Sequence, residues 1–219
     1  MEIVINKRNI SIFLKKINLI IRTWLTSADN WVKIILVIKM IYNFKEIKEK
    51  YKSNYQIRKA LKEKVIFKID KNIYSDEENP NYLEIISKKY PNAIFTMDSA
   101  FYFHNLTDVI PKKISLAISR NSSRIKDEKI NQILVIERLF EIGKIEKIIE
   151  GAKINIYDRE IMLIELIRNK NQMAFDYYKE IISNYRKNIN NLDMSKIEEY
   201  IESFPNEEHI YETLQREVF

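Results

Sequence analysis

Cysteine is absent from this chain, and glycine and proline are scarce, two and four in 219 residues. Without cysteine there is neither a disulfide framework nor a thiolate metal site. That composition fits a reducing cytoplasm, where the protein is expected. The two glycines, Gly143 and Gly151, stand alone. No loop of repeated glycines is therefore available to wrap a phosphate, which argues against dinucleotide-binding and P-loop chemistry. Long apolar runs are also missing. ISIFLKKINLIIRTWL and WVKIILVIKMIY are broken by lysines and arginine well before the ~18 residues of a membrane span, so no membrane association is expected. Lys15, Lys16 and Arg22 likewise interrupt any secretory h-region.

What the chain does have is charge, unevenly spread. The net charge is +6. Residues 1–39 carry seven basic and two acidic side chains, whereas residues 150–219 carry nine and fourteen. A basic front and an acidic back allow an anionic partner at the front only. Residues 1–40 read as an extra packed helix, a basic surface helix, or an extension upstream of the functional start. Met40 immediately precedes the first organised motif.

Residues 41–78 read as a small basic module. FKEIKEKY (44–51) places Phe44, Ile47 and Tyr51 on one helical face. KSN (52–54) breaks that helix, and Ser53 or Asn54 caps the next. In YQIRKALKEK (55–64), Ile57, Ala60 and Leu61 turn inward, leaving Tyr55, Gln56, Lys59 and Lys62 outside with Arg58 at the margin. VIFKI (65–69), the turn DKN (70–72) and IYS (73–75) form a hairpin, with Asn72 in the left-handed turn position. Helix, tight turn, helix and two-stranded wing is the order of a winged helix-turn-helix. From residue 45 to 71 there are ten basic and four acidic side chains. Gln56 and Arg58 suit base edges, and Lys59, Lys62, Lys68 and Lys71 suit phosphates. Asn54 stands at the start of the recognition helix and Asn72 at the wing tip.

Residues 79–219 read as a second, α+β domain with a small sheet and a helical tail. Helices are expected over YLEIISKKY (82–90) and SAFYFHNL (99–106), and strands over ISLAIS (114–119) and NQILVIE (131–137). KIEKIIEGAKINIY (144–157) should form a hairpin turning at Glu150–Gly151. Asp158 should cap a nearly buried helix, REIMLIELIRNK, and two or three further helices follow.

The chain has two histidines. His104, with Asp98 and Asp108 nearby, is the one candidate for acid–base work, and Asp108 is the residue placed to orient it. No nucleophile accompanies it at a recognisable spacing, and its helix face is shared with Ala100 and Phe101. His104 therefore reads as a hydrogen-bonded packing residue. No catalytic or metal-binding residues are assigned. His209 is distant, and there is no His-x-x-x-His pair.

Two long segments carry a family resemblance: YPNAIF followed by SAFYFHNLTDVIP, and YDRE followed at Glu165 by ELIR. With the winged module in its expected place, the chain from about residue 41 resembles the AbiEi antitoxins of type IV abortive-infection toxin–antitoxin systems. The resemblance implies a repressor of its own promoter that binds inverted repeats in double-stranded DNA, as a dimer on DNA. It also implies an antitoxin domain that counteracts a nucleotidyltransferase toxin, with no stable complex assumed, no cofactor and no enzymatic activity. It places DNA contacts at Asn54, Tyr55, Gln56, Arg58, Lys59, Lys62, Lys68, Lys71 and Asn72. Two departures are visible: Asn105 and Asn72 stand where the family has glycine, and both residues tolerate positive φ. The alternatives are a DNA-binding regulator without a toxin, and a nucleotidyltransferase-like enzyme. The latter lacks the Gly-Ser turn and the Asp-x-Asp pair that its chemistry requires.

Overall fold

The computed structural model describes residues 40–219; the expected extra helix or extension over residues 1–40 lies, except for Met40, outside them. The first module comprises β1 (Ile41–Asn43), α1 (Phe44–Tyr51), α2 (Asn54–Lys62), β2 (Phe67–Asp70) and β3 (Ile73–Ser75). The body comprises α3 (Tyr82–Lys89), β4 (Ile94–Phe95), α4 (Met97–Phe103), β5 (Ile114–Ser119), β6 (Ile130–Val135), α5 (Glu137–Phe140), β7 (Lys144–Ile149), β8 (Ala152–Tyr157), α6 (Arg159–Arg168), α7 (Phe175–Lys187), α8 (Met194–Glu202) and α9 (Glu207–Glu217). The chain is α+β, as its sequence indicates.

In the first module, Asn43 caps α1 by accepting from the Glu46 N–H at 3.0 Å, and Glu46 accepts the Asn43 N–H at 2.9 Å. Ser53, rather than Asn54, caps α2 by accepting from the Gln56 N–H. A compact core gathers Tyr42, Ile47, Ile57, Ala60, Ile66 and Tyr74. Two expectations need correcting here, and one strand is added. Phe44 is 41% exposed, because a side chain at the first helical position leans back over the preceding turn and misses the α1–α2 contact. Val65 and Ile66 are not strand residues; their N–H groups return to the Ala60 carbonyl and close the end of α2. β1, over residues 41–43 to which the sequence assigns no element, pairs antiparallel with β3 and gives a three-stranded sheet in the order β1-β3-β2.

The body sheet has five strands in the order β6-β5-β4-β8-β7. β4 pairs antiparallel with β5 and parallel with β8; β5 and β6 are parallel; β7 and β8 form the expected hairpin. Its turn residues Glu150 and Gly151 both have positive φ, as a tight two-residue hairpin turn requires. Helix α3 packs on β8 and also on β1, and α4 lies against β5. α6 is enclosed by α4, α8 and α9, which explains its apolar run from Ile161 to Ile164. Asp158 caps it through the Ile161 N–H at 3.0 Å and accepts the Tyr200 hydroxyl at 3.0 Å. Buried Glu160 accepts the Asp193 N–H, so α8 is bound to the first turn of α6 by two carboxylates.

His104 follows α4 and is buried. Its Nε2 donates to the Tyr157 carbonyl at 2.7 Å, and its Nδ1 lies 3.3 Å from the Lys147 ammonium, which donates. Asp108 is exposed and does not orient it. Lys147 also donates to the Phe103 carbonyl at 3.0 Å, and Arg159 to the His104 carbonyl at 3.3 Å. Two cations thus cover the carbonyls at the end of α4, where the helix dipole favours positive charge. Asn105 then turns the chain with φ 56°, in the left-handed region expected of it.

Two stability predictions follow from these contacts. A Cβ on Gly143, at φ 71°, would lie 2.6 Å from Ile161 Cγ2 and 2.9 Å from the capping Asp158 Oδ1. Gly143→Ala should cost on the order of 3 kcal/mol in urea unfolding. Gly151→Ala, strained in backbone but open in space, should cost about 1 kcal/mol. Equal losses would contradict the packing account. Burial, with Lys147 and Arg159 nearby, pushes the His104 imidazole down to about 4 from 6.5. Between these values the unfolded chain binds the proton that the fold refuses. The contribution is therefore complete above pH 6.5 and lost as pH falls to about 4, on the order of 3 kcal/mol in all. His104→Gln, which keeps a donor for Tyr157, should flatten unfolding free energy against pH across that window.

Candidate nucleic-acid interface

The exposed side of α2 follows from its core contacts. Ile57 and Ala60 are buried against α1 and the hairpin, so the intervening positions face water. Tyr55 is 75% exposed, and Asn54, Gln56, Arg58, Lys59 and Lys62 are exposed beside it. From the hairpin come Lys68, Lys71 and Asn72, all exposed as well. Asn72 has φ 63°, and the Asp70 carboxylate accepts the Lys71 N–H at 2.6 Å, so the tip is closed by two short polar side chains. A bulge between Lys68 and Asp70 shifts the register there. The nine residues thus come from two elements that share one small core.

Their charges are largely uncompensated. Lys59 reaches Glu63 at 3.9 Å, with both side chains more than half exposed, a pairing of little energetic weight. Among the described residues, Arg58, Lys62, Lys68 and Lys71 have no carboxylate partner. Two of the module's own acids, Glu46 and Asp70, are instead neutralised by α3. Lys88 holds Glu46 at 2.6 Å, and Lys89 holds Asp70 at 2.6 Å together with Asp127 at 2.8 Å. The Lys89 ammonium and the Lys71 N–H keep the Asp70 carboxyl below its usual range, and Lys89 does the same to Asp127. For Lys89, burial pulls the ammonium down, but bonds to Asp127 and Asp70 outweigh it and raise its pKa. One turn further along α1, Lys50 and the Tyr42 hydroxyl converge on Asp76.

This bracing was not legible in the sequence, where 88–89 reads only as a basic last turn of a helix in another domain. Tyr42 was missed for the same reason as β1: three residues carry no periodicity. Among the described residues, no three histidine or carboxylate side chains converge as a metal site. None of the described helices is long and apolar enough to cross a membrane. No protein-family model matches the chain, and no curated protein matches it.

Proposed function

We propose that the chain is a DNA-binding autorepressor and the antitoxin of a type IV abortive-infection pair, acting in the cytoplasm without catalysis of its own. The observation that carries the first half is the polar, uncompensated face of α2 over its buried Ile57–Ala60 side. Strand, two helices and hairpin, in the order β1-α1-α2-β2-β3, fit a winged helix-turn-helix with α2 as the recognition helix. In that reading α2 lies in the major groove, with Gln56 on adenine and Arg58 on guanine edges. Lys59, Lys62, Lys68 and Lys71 meet phosphates, and Asn54 and Tyr55 sit at the helix start near the backbone. Asn72 shapes the wing. Two copies on an inverted repeat give operator specificity. The antitoxin half rests on the resemblance carried by residues 90–111 and 157–168, and its functional partner is a nucleotidyltransferase toxin.

Fluorescence anisotropy with the gene's own upstream duplex tests the DNA-binding half. Four lysine–phosphate contacts at about 0.9 each predict a log–log salt slope near −3.6 per bound copy. The triple variant Arg58→Ala, Lys59→Ala, Lys62→Ala should lose at least about tenfold in affinity. Undiminished binding would reject this face. Co-expression with the toxin encoded beside it tests the antitoxin half: growth should be rescued, and rescue by an unrelated protein of similar charge would refute it.

A further inference from the structure

The two edges of the body sheet are built differently. β7, at one edge, carries Lys144, Glu146 and Lys147, the charged side chains that discourage strand addition. β6, at the other, reads INQILV: six residues with no charge and no proline, and Leu134 is 37% exposed. Among the described residues, β6 pairs only with β5. The Arg120 N–H meets the Val135 carbonyl and the Ile114 N–H meets the Lys129 carbonyl, so odd-numbered residues turn their backbone toward β5. In a parallel ladder the alternate residues turn the other way. Gln132 and Leu134 therefore aim N–H and C=O groups outward from the sheet.

They aim into a cleft. A cavity of about 1140 Å³ is lined by every residue from Asn131 to Ile136, with residues 168–173 and α9 opposite, and it extends past the edge to Thr96, Met97, Tyr157 and Ile161. A six-residue strand needs a slot of roughly 20 × 10 × 5 Å, about 1000 Å³. Five arginine and lysine side chains and two carboxylates line it; of the cations, Lys170 and Arg216 are held by Glu217 and Arg168 by Glu165. Arg120 and Arg138 are exposed at the Val135 end and have no carboxylate partner among the described residues. One of the two carboxylates, Glu165, is already held by Arg168 and Asn169.

We propose that the β6 edge and its cleft are a docking site for an extended acidic segment of a partner protein, which adds to the sheet as a sixth strand. The outward backbone groups supply the affinity and the unpaired arginines the preference for acidic side chains. A second copy of the chain is the competing occupant: antiparallel β6–β6 pairing would bring Arg120 and Arg138 of one copy toward Lys129 but also Glu128 of the other, so charge does not favour it as it favours an acidic segment. The site is separate from the DNA-binding face and does not depend on that reading.

The test uses the full chain and a fluorescent decapeptide of alternating Glu and Val. Saturable anisotropy is expected, weakened at least tenfold by Arg120→Glu/Arg138→Glu and abolished by Leu134→Lys. The same peptide N-methylated at alternate amides keeps its charge but cannot complete the ladder, and should not bind; neither should its Lys–Val counterpart. Absence of saturable binding, equal binding of the N-methylated peptide, or indifference to the arginine pair would overturn the proposal. So would displacement of the peptide by a thymidine decanucleotide with the same arginine dependence, which would assign the cleft to nucleic acid. A dimer in sedimentation that Leu134→Lys dissociates would assign the edge to a second copy instead.

Discussion

The body sheet is continuous only through two residues. β5–β6 on one side and the β7–β8 hairpin on the other are each two-stranded, and a two-stranded sheet is marginal in water. Ile94 and Phe95 lie between them, Phe95 pairing with Leu116 across one ladder and with Ile156 across the other. Both are almost completely buried. Thr96 ends the strand, and Met97, at φ 43°, starts α4 at once. The chain therefore turns off the sheet as soon as the join is made, and α4 falls against β5. His104 at its far end then reaches the Tyr157 carbonyl at the end of β8. The segment 90–111 matters because it stitches the sheet and then caps it, which is why its histidine is a structural donor with a depressed pKa.

From the same region α3 reaches back to the first module. Leu83 and Ile86 sit in the body core, while Lys88 and Lys89 extend to Glu46 and Asp70. Lys89 also holds Asp127 in the loop between β5 and β6. Exposed ion pairs contribute little singly, but a lysine shared between two partly buried carboxylates is held from both sides. The electrostatic consequence outweighs the mechanical one. Glu46 and Asp70 are two of the four acids in residues 45–71. With both occupied by lysines from outside the module, the field over α2 and the hairpin tip is set by unpaired Arg58, Lys62, Lys68 and Lys71.

Legibility tracked periodicity. α2, α6 and the β7–β8 hairpin carry strong patterns and appear where the sequence puts them, down to the positive φ at Asn72 and Asn105. β1 and β4, three and two residues long, have too few positions for any alternation to register, yet β4 decides the sheet order. The outward face of α2 was readable because Ile57 and Ala60 define its opposite. The freedom of its charges was not, because Glu46 and Asp70 sit close in sequence and look like internal partners. Nor was the open β6 edge: a run such as NQILVIE reads the same in the centre of a sheet as at its border.

The cations on this molecule fall into two chemical kinds, and the acids decide where each operates. On α2 and the hairpin most are lysines on flexible stems, strongly hydrated, suited to phosphates that are met as point charges. At the cleft mouth they are arginines beside a row of backbone donors and acceptors, suited to planar carboxylates on an extended chain. Glu198, Glu199, Glu202, Glu207, Glu208 and Glu212, all exposed on α8 and α9, give the tail a negative surface beside that cleft. A duplex carrying one negative charge about every 1.7 Å meets repulsion there, whereas a short acidic peptide can place its few carboxylates on Arg120 and Arg138 alone. Charge distribution thus sorts partners by charge density: the unpaired cations of the first module suit a polyanion, and the acidic tail disfavours one at the sheet edge.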